Sequence, residues 1–193
     1  MNKTLLTLAI VALLATIPAT AMATTIELQP TPPDLYDLTH QNYYTWGFGL
    51  SLGEGEVISS ASLFFKQIWD WTPEPNVLYV HLLDSAPLGV STYWDWENPT
   101  DAFAGQGTDL VTYTNLPAAP QNITYNFDAA QIAALAAYAA DGVAALGIDP
   151  DCHFYNCGIK LTIETTPVIP EPSSLALAGI GIAGLATITR RYR

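Results

Sequence analysis

Positive charge is the first thing that this chain lacks. Of its 193 residues, 6 are Lys or Arg and 18 are Asp or Glu. Four of the six cations stand at the two ends, as Lys3, Arg190, Arg191 and Arg193. Residues 24–168 therefore hold 2 Lys against 17 acidic residues, a formal net charge of −15. A surface of this sign repels nucleic acid and attracts metal cations, although acidity can also serve solubility alone. We expect no nucleic-acid partner.

Cysteine and recognisable catalytic motifs are scarce too. The two cysteines, Cys152 and Cys157, allow one disulfide if the protein leaves the reducing cytoplasm. We identify neither a nucleophile elbow nor a His-Glu-x-x-His zinc motif. The many carboxylates offer accidental pairs without a recognisable acid/base context, and His81 lies in an alternating apolar segment typical of a packed strand. We therefore expect that the protein is not an enzyme.

The N-terminus has the features of a signal peptide. Lys3 supplies a short positive region, an apolar run follows at 5–17, and Pro18 breaks that run. Ala21 and Ala23 form the small-x-small pattern of a cleavage site. We predict a signal peptide at 1–23, handled by the Sec translocon and signal peptidase. No cysteine follows the cleavage site, so a lipoprotein anchor is not expected.

The C-terminus combines a tripeptide, an uncharged apolar stretch and a basic end, in the order Pro170-Glu171-Pro172, 173–189, and Arg190, Arg191 and Arg193. As a helix, the apolar stretch rises roughly 25 Å, which is just short of the hydrocarbon core of a bilayer. The prolines cannot continue that helix upstream, and the positive-inside rule places the arginines in the cytoplasm. We predict a transmembrane helix with a basic tail at 173–193.

This tail resembles the PEP-CTERM sorting signal, in which a Pro-Glu-Pro tripeptide, a hydrophobic helix and terminal arginines follow in this order. Such a tail is also known as an ice-binding protein C-terminal domain. The resemblance implies recognition by exosortase at the inner membrane of a Gram-negative cell. It further implies removal of the helix and transfer of the body to the cell surface or to the exopolysaccharide matrix. The predicted localisation is thus exported, through an intermediate anchored in the inner membrane.

Short alternating segments dominate the residues between these ends. Strands are predicted at 43–50, 56–65, 77–83, 89–93, 110–114, 121–127, 143–148 and 158–164. One short helix is predicted between Asp128, whose capping box includes Gln131, and Gly142. We predict a mainly β chain, folded as a two-sheet antiparallel β-sandwich of jelly-roll-like type. Residues 24–164 form this ectodomain, and 165–172 form a stalk that contains the tripeptide.

The segment 149–158 carries the most unusual chemistry of the body. It is predicted as a long hairpin connection between the last two strands, with Cys152 and Cys157 as a candidate disulfide across it. Asp149, Asp151 and Asn156 offer hard oxygen ligands suited to Ca²⁺. No cofactor is expected otherwise. A zinc site is disfavoured because structural zinc needs four nitrogen or sulfur ligands.

Two Trp-Asp-Trp motifs, Trp69-Asp70-Trp71 and Trp94-Asp95-Trp96, allow two interpretations. If they are exposed, the paired indoles form a platform for sugar stacking, with Asp70, Asp95 or Glu97 accepting hydrogen bonds from hydroxyls. If they are buried, they are ordinary core, since Trp fills large apolar volumes. Trp94 and Trp96 stand beside a polar run and are the better candidates for exposure.

Three hypotheses for function follow. The first is a structural protein of the cell surface or extracellular matrix that associates with exopolysaccharide. The alternative is a carbohydrate-binding module, stabilised by Ca²⁺; the pattern of the body resembles jelly-roll modules of exported bacterial proteins, among which such modules occur. A hydrolase of unrecognised type is the second alternative.

Overall fold

The computed structural model describes residues 23–72, 74–95 and 100–168, and Ala23–Val168 forms one compact unit. The predicted signal peptide, apart from Ala23, lies outside these residues, as do Trp96, Glu97, the Pro-Glu-Pro tripeptide and the predicted transmembrane helix. Within the described residues the strands are β1 (Thr24–Leu28), β2 (Asn42–Gly49), β3 (Glu56–Asp70), β4 (Val77–Leu83), β5 (Gly89–Trp94), β6 (Thr108–Thr114), β7 (Gln121–Asn126), β8 (Val143–Pro150), β9 (Phe154–Tyr155) and β10 (Ile159–Pro167).

The strands form two antiparallel sheets with jelly-roll topology. Sheet 1 has the order β1-β10-β3-β7, with β9 pairing β3, and sheet 2 has the order β5-β2-β8-β4-β6. With β5 and β9 set aside, successive strands alternate between the sheets except at β4 and β6, which pair with each other in sheet 2, and only β7 and β8 are separated by a helix. This arrangement is that of an eight-stranded jelly roll. The predicted fold class is therefore confirmed: the body is mainly β, with two antiparallel sheets and one short helix.

The core lies between the two sheets because alternate strand residues are apolar. Leu63 and Phe65 of sheet 1 and Leu146 and Ile148 of sheet 2 are completely buried. Side chains two residues apart in a strand point to the same face, so each run buries one face against the other sheet. The opposite face of β8 carries Asp149, which makes the outer surface of sheet 2 chemically different from its inner surface.

The helix α1 (Ala129–Tyr138) begins where the sequence predicts, but it ends at Tyr138, before the predicted end at Gly142. The Asp128 carboxylate accepts a hydrogen bond from the Gln131 N–H at 2.9 Å, and the Gln131 side chain accepts one from the Asp128 N–H at 3.0 Å. This reciprocal pair is a capping box. A 3₁₀ turn, Ala139–Asp141, follows, and Gly142 closes it with a φ of 92° that favours glycine.

Two predictions about the end of the body need correction. The segment after Asp149 is not a hairpin, because β8 belongs to sheet 2 and β10 to sheet 1, and the chain crosses between them through β9. Strand β10 also continues to Pro167, where it pairs with Glu56 of β3, so the first three residues of the predicted stalk belong to the sheet.

Among the described residues, no helix has the length and apolar character needed to cross a membrane.

Candidate functional site

The first candidate site lies where β3 ends and β9 pairs with it. Trp69 pairs with Tyr155, and Asp70 pairs with Phe154, in the antiparallel register. Phe154 is completely buried, and it also exchanges two backbone hydrogen bonds with Leu38, at 2.8 and 2.9 Å. Because neighbouring residues of a strand point to opposite faces, burial of Phe154 directs Tyr155 outward. The crossing segment is therefore anchored through Phe154 and displays Tyr155.

Five rings form a continuous contact series at this place, which we call the aromatic row: Trp69, Tyr155, Trp71, His153 and His40. The centroid distances along it are 5.4 Å from Trp69 to Tyr155, 5.6 Å from Tyr155 to Trp71, 4.9 Å from Trp71 to His153 and 4.2 Å from His153 to His40. The last three pairs are stacked, with interplanar angles of 13° to 29°. Offset stacking of this kind stabilises the orientation of the rings.

The aromatic row is accessible from solvent. Trp71 is 50% exposed and Tyr155 is 37% exposed, whereas Trp69 is half-buried. Exposed flat rings held at fixed angles present an apolar surface on which the face of a pyranose ring can stack. Burial and the nearby His40 lower the pKa of His153, so this ring is favoured in its neutral form. The interpretation of the first Trp-Asp-Trp motif as core is thus wrong for Trp71.

Asp70, between Trp69 and Trp71 in the chain, is buried and does not take part in the surface of the aromatic row. Its carboxylate accepts hydrogen bonds from the Thr72 N–H, the Thr72 hydroxyl and the Asn76 amide at 3.0, 3.0 and 2.7 Å. Asn76 in turn donates to the Leu116 carbonyl at 3.1 Å and accepts from the Leu116 N–H at 2.7 Å. The predicted role of Asp70 as an acceptor for sugar hydroxyls is therefore corrected: its oxygens are used internally.

The candidate disulfide is not formed. Cys152 is completely buried, with its Sγ 3.0 Å from the Thr72 hydroxyl and 3.5 Å from Asp70 Oδ1. Cys157 is exposed and lines a groove with Lys66 and Lys160. Phe154 lies between the two cysteines in sequence and is anchored in the core, so the chain presents one thiol inward and the other outward. Both cysteines are free thiols.

A second candidate site lies on the outer face of sheet 2. Asp149 points outward from β8 but is completely buried, because the connection from β5 to β6 folds over it and the Ala102 N–H donates to its Oδ2 at 2.7 Å. Phe103 of the same connection packs on Gly147: a Cβ on that glycine would lie 2.8–2.9 Å from the phenyl ring. The absence of a side chain at Gly147 thus lets the connection lie close to the sheet.

His81 fastens this connection to β4. Its Nε2 lies 2.9 Å from Asp101 Oδ2, and its Nδ1 lies 3.0 Å from Asp109 Oδ1, without the alignment of a hydrogen bond. The ring is 2% exposed and also contacts Phe103. Both ring nitrogens of His81 face carboxylates and the ring is buried. His81 therefore holds the loop against β4 and is not exposed to a substrate as a base would be. The prediction of a packed strand histidine is confirmed.

Three carboxylates, one of them that of Asp149, lie close together at this site. Asp95, Asp149 and Asp151 each offer an oxygen, and these oxygens lie within 4.8 Å of one another. Burial, together with repulsion by Asp95, raises the pKa of Asp149 to about 7 and that of Asp151 to about 6. Burial also raises the pKa of Asp95. We call these three residues the acidic cluster.

Two residues of the acidic cluster, Asp149 and Asp151, were predicted from the sequence as metal ligands, and Asp95 was not. Asn156, the other predicted ligand, lies elsewhere: its amide donates to the Asp34 carbonyl at 3.1 Å, and its Oδ1 accepts from the Gly158 N–H at 3.0 Å. Asp95 follows β5, which lies beside β2 in sheet 2, and its N–H donates to the Gln41 carbonyl. No local spacing signals this proximity, since it depends on strand order.

The second Trp-Asp-Trp motif is only partly described. Trp94 ends β5 and is 55% exposed, which agrees with the prediction of exposure at this motif, while Trp96 lies outside the described residues.

Residues 49–53 have the spacing Gly-x-Ser-x-Gly, a motif that was not predicted from the sequence. Ser51 follows β2 and the chain continues into β3, not into a helix, so the strand–turn–helix geometry of a nucleophile elbow is not present there.

Comparison with known proteins identifies the tail. Residues 168–191 match the family described as the PEP-CTERM protein-sorting motif. The chain therefore carries this sorting signal at the place where the sequence predicts it, and the signal implies an exported protein that exosortase processes from a membrane-anchored intermediate. A search of curated proteins found no match.

Several solved structures share a distant similarity with the body. A latent aurone synthase, a polyphenol oxidase from its natural source, aligns over 76% of this chain and 24% of its own, with 10% identity and a TM-score of 0.36. Desmodium yellow mottle tymovirus aligns over 81% and 94%, with 8% identity and a TM-score of 0.36. The CBM22-1–GH10 modules of a Clostridium thermocellum xylanase align over 77% and 25%, with 8% identity and a TM-score of 0.23. The chain thus spans about a quarter of the polyphenol oxidase, and none of these similarities bears on its function.

Proposed function

We propose that this protein is an exported polysaccharide-binding protein, whose aromatic row attaches it to glycan at the cell surface or in the extracellular matrix. The observation that carries the proposal is the stacking of exposed Trp71 between Tyr155 and His153. Aromatic side chains that expose a broad apolar face with few rotatable bonds are favoured in recognition sites. The role proposed is binding and not catalysis.

The charge of the body favours a neutral polysaccharide as its ligand. Lys66 and Lys160 are the only Lys or Arg residues among those described, and both belong to sheet 1. Lys160 is paired with Glu27 at 2.6 Å. A polyanionic glycan would meet a formal charge of −15 with little cationic compensation, and this repulsion lowers the rate and strength of association. Stacking on aromatic rings needs no charge on the ligand.

The sorting signal supplies the reason why such a module would be attached temporarily to a membrane. Exosortase processing, which the motif implies, separates the body from its anchor outside the cytoplasm. A protein released in this way stays at the cell only if something there retains it, and binding to exopolysaccharide would provide that retention. The proposal thus joins the structural role in the matrix to the glycan-binding site.

Replacing Trp71 by Ala tests the binding site. We expect affinity for neutral polysaccharide to fall at least tenfold, about 1.4 kcal/mol, because the largest exposed ring of the aromatic row is removed. The melting temperature should change little, since half of the indole is already in solvent. The measurement is a glycan array followed by isothermal titration with the strongest ligand, using residues 24–168, which contain both sheets and their core.

Trp94→Ala is the matched control for that variant. It removes an indole that is similarly exposed but stands on β5 of sheet 2, whereas Trp71 follows β3 of sheet 1. We expect its affinity to remain within about twofold of the native value. Loss of binding in Trp94→Ala with none in Trp71→Ala would move the site away from the aromatic row. Failure of the native body to bind any glycan would contradict the proposed function.

Replacement of Pro170-Glu171-Pro172 by three alanines tests sorting. We expect the variant to remain uncut in the inner membrane, because the tripeptide is part of the motif that implies exosortase processing. Cell fractionation and immunoblotting of the full chain would show a larger, membrane-bound species. Pro120→Ala, at an exposed proline before β7, is the control and should be processed normally. Normal release of the triple variant would contradict sorting through this tripeptide.

A further inference from the structure

We propose that Asp95, Asp149 and Asp151 bind one Ca²⁺ ion on the outer face of sheet 2. The proposal starts from their geometry: one oxygen from each lies within 4.8 Å of the others. Ca²⁺ binds oxygen ligands at 2.3–2.6 Å, so two ligands of one ion stand at most about 5 Å apart. The three oxygens therefore fit a single coordination sphere without a change of backbone.

Two oxygens of the cluster are buried and lack a partner. Asp149 Oδ2 accepts a hydrogen bond from the Ala102 N–H, but Asp149 Oδ1 has no hydrogen-bond partner although the residue is 0% exposed. Asp95 Oδ2 is likewise buried without a partner. Buried carboxylate oxygens are normally hydrogen-bonded, paired with a cation or bound to a metal, since leaving them bare is strongly unfavourable. These two orphaned oxygens are an observation separate from the clustering of acidic residues.

Side-chain cations do not compensate this charge in the described part of the chain. Lys66 and Lys160, its only Lys or Arg residues, lie on β3 and β10 of the other sheet. His40, whose ring is stacked on His153, lowers the pKa of Asp151, but less than burial and the neighbouring carboxylates raise it. A divalent cation would neutralise two of the three carboxylates and supply the missing partner for each orphaned oxygen.

The donor set favours Ca²⁺ over other metals. All three ligands are carboxylates, which are hard oxygen donors, and no cysteine or histidine belongs to the acidic cluster as the structure describes it. The ligands come from two separate segments, the end of β5 and the end of β8. Ca²⁺ tolerates such irregular geometry and completes its coordination with water, whereas Mg²⁺ demands a near-ideal octahedron. The ion would fasten Asp95, after β5, to the end of β8.

Titration of EDTA-treated residues 24–168 with CaCl₂ tests the site independently of any glycan. We expect calorimetry to show one Ca²⁺ per chain, and saturating Ca²⁺ to raise the melting temperature by several degrees. Asp149→Asn and Asp95→Asn should each weaken Ca²⁺ binding at least tenfold. Asp149→Asn keeps an oxygen for the Ala102 N–H and removes a buried charge, so without Ca²⁺ its melting temperature should equal or exceed the native value.

Asp84→Asn is the matched control. Asp84 is exposed and follows Leu83, which pairs with Ala145, four residues along β8 from Asp149 and so roughly 13 Å away. Its Ca²⁺ affinity should stay within about twofold of native. Absence of binding to the native body, or native affinity in both Asp149→Asn and Asp95→Asn, would overturn the proposal. An equal response to MgCl₂ at the same concentrations would overturn the choice of Ca²⁺.

Discussion

Phe154→Ala is expected to lower the free energy of unfolding by about 3–5 kcal/mol, because it removes a completely buried aromatic side chain and leaves a cavity. The same change should abolish glycan binding. Phe154 pairs with Asp70, bridges to Leu38 and carries His153 and Tyr155 on either side of it in the chain. Without this anchor, the crossing segment between the sheets loses the contact that orients two rings of the aromatic row.

Tyr155→Ala provides the comparison, because Tyr155 is adjacent in sequence but points outward. We expect a loss of stability below about 1 kcal/mol and a loss of glycan affinity similar to that of Trp71→Ala. Urea denaturation of residues 24–168 measures the first quantity, and titration with the glycan measures the second. If Phe154→Ala were no less stable than Tyr155→Ala, the anchoring role of Phe154 would be refuted.

Asn76→Ala is expected to lower the free energy of unfolding by about 3 kcal/mol. The substitution deletes two donated hydrogen bonds and one accepted bond at a site that is 6% exposed. It leaves the Leu116 backbone groups and one oxygen of Asp70 without their partner, and each such loss costs about 1–3 kcal/mol when the group stays dry. The variant should also bind glycan more weakly, since Asp70 precedes Trp71 and holds Thr72.

Asn115→Gly is the matched control for Asn76. Asn115 is exposed in the neighbouring turn, where its N–H donates to the Asn76 carbonyl, and its φ of 57° suits glycine. We expect it to change stability by less than about 0.5 kcal/mol. Chemical denaturation of both variants makes the comparison. Equal losses in the two would show that the turn matters and the buried amide does not.

Local features of the fold were predictable from the sequence because they depend on neighbouring residues. Asp128 and Gln131 are three residues apart, so their capping box can be recognised without knowing what the helix packs against. Strand β4 runs from Val77 to Leu83 as predicted, since turn-forming residues bound an apolar run. The two-sheet class followed from many such runs in succession.

Features that depend on pairing between distant strands were not predictable in this way. The two-residue strand β9 has too little sequence to show a period, and it exists because Trp69 and Asp70 are available to pair with it. The predicted hairpin and the predicted disulfide both assumed that residues 149–158 fold back on themselves. The chain instead crosses from sheet 2 to sheet 1, which places Cys152 inside and Cys157 outside.

By itself, the sequence determined the sorting signal and the β character of the body, because a linear motif and a two-residue period are both written locally along the chain. The tertiary structure alone decided which residues meet. It stacked Trp71 on His153, and it brought Asp95 to Asp149 and Asp151 while placing Asn156 elsewhere. The physical reason is strand order: in a jelly roll, neighbours in a sheet come from distant parts of the chain, and no spacing in the sequence records that proximity.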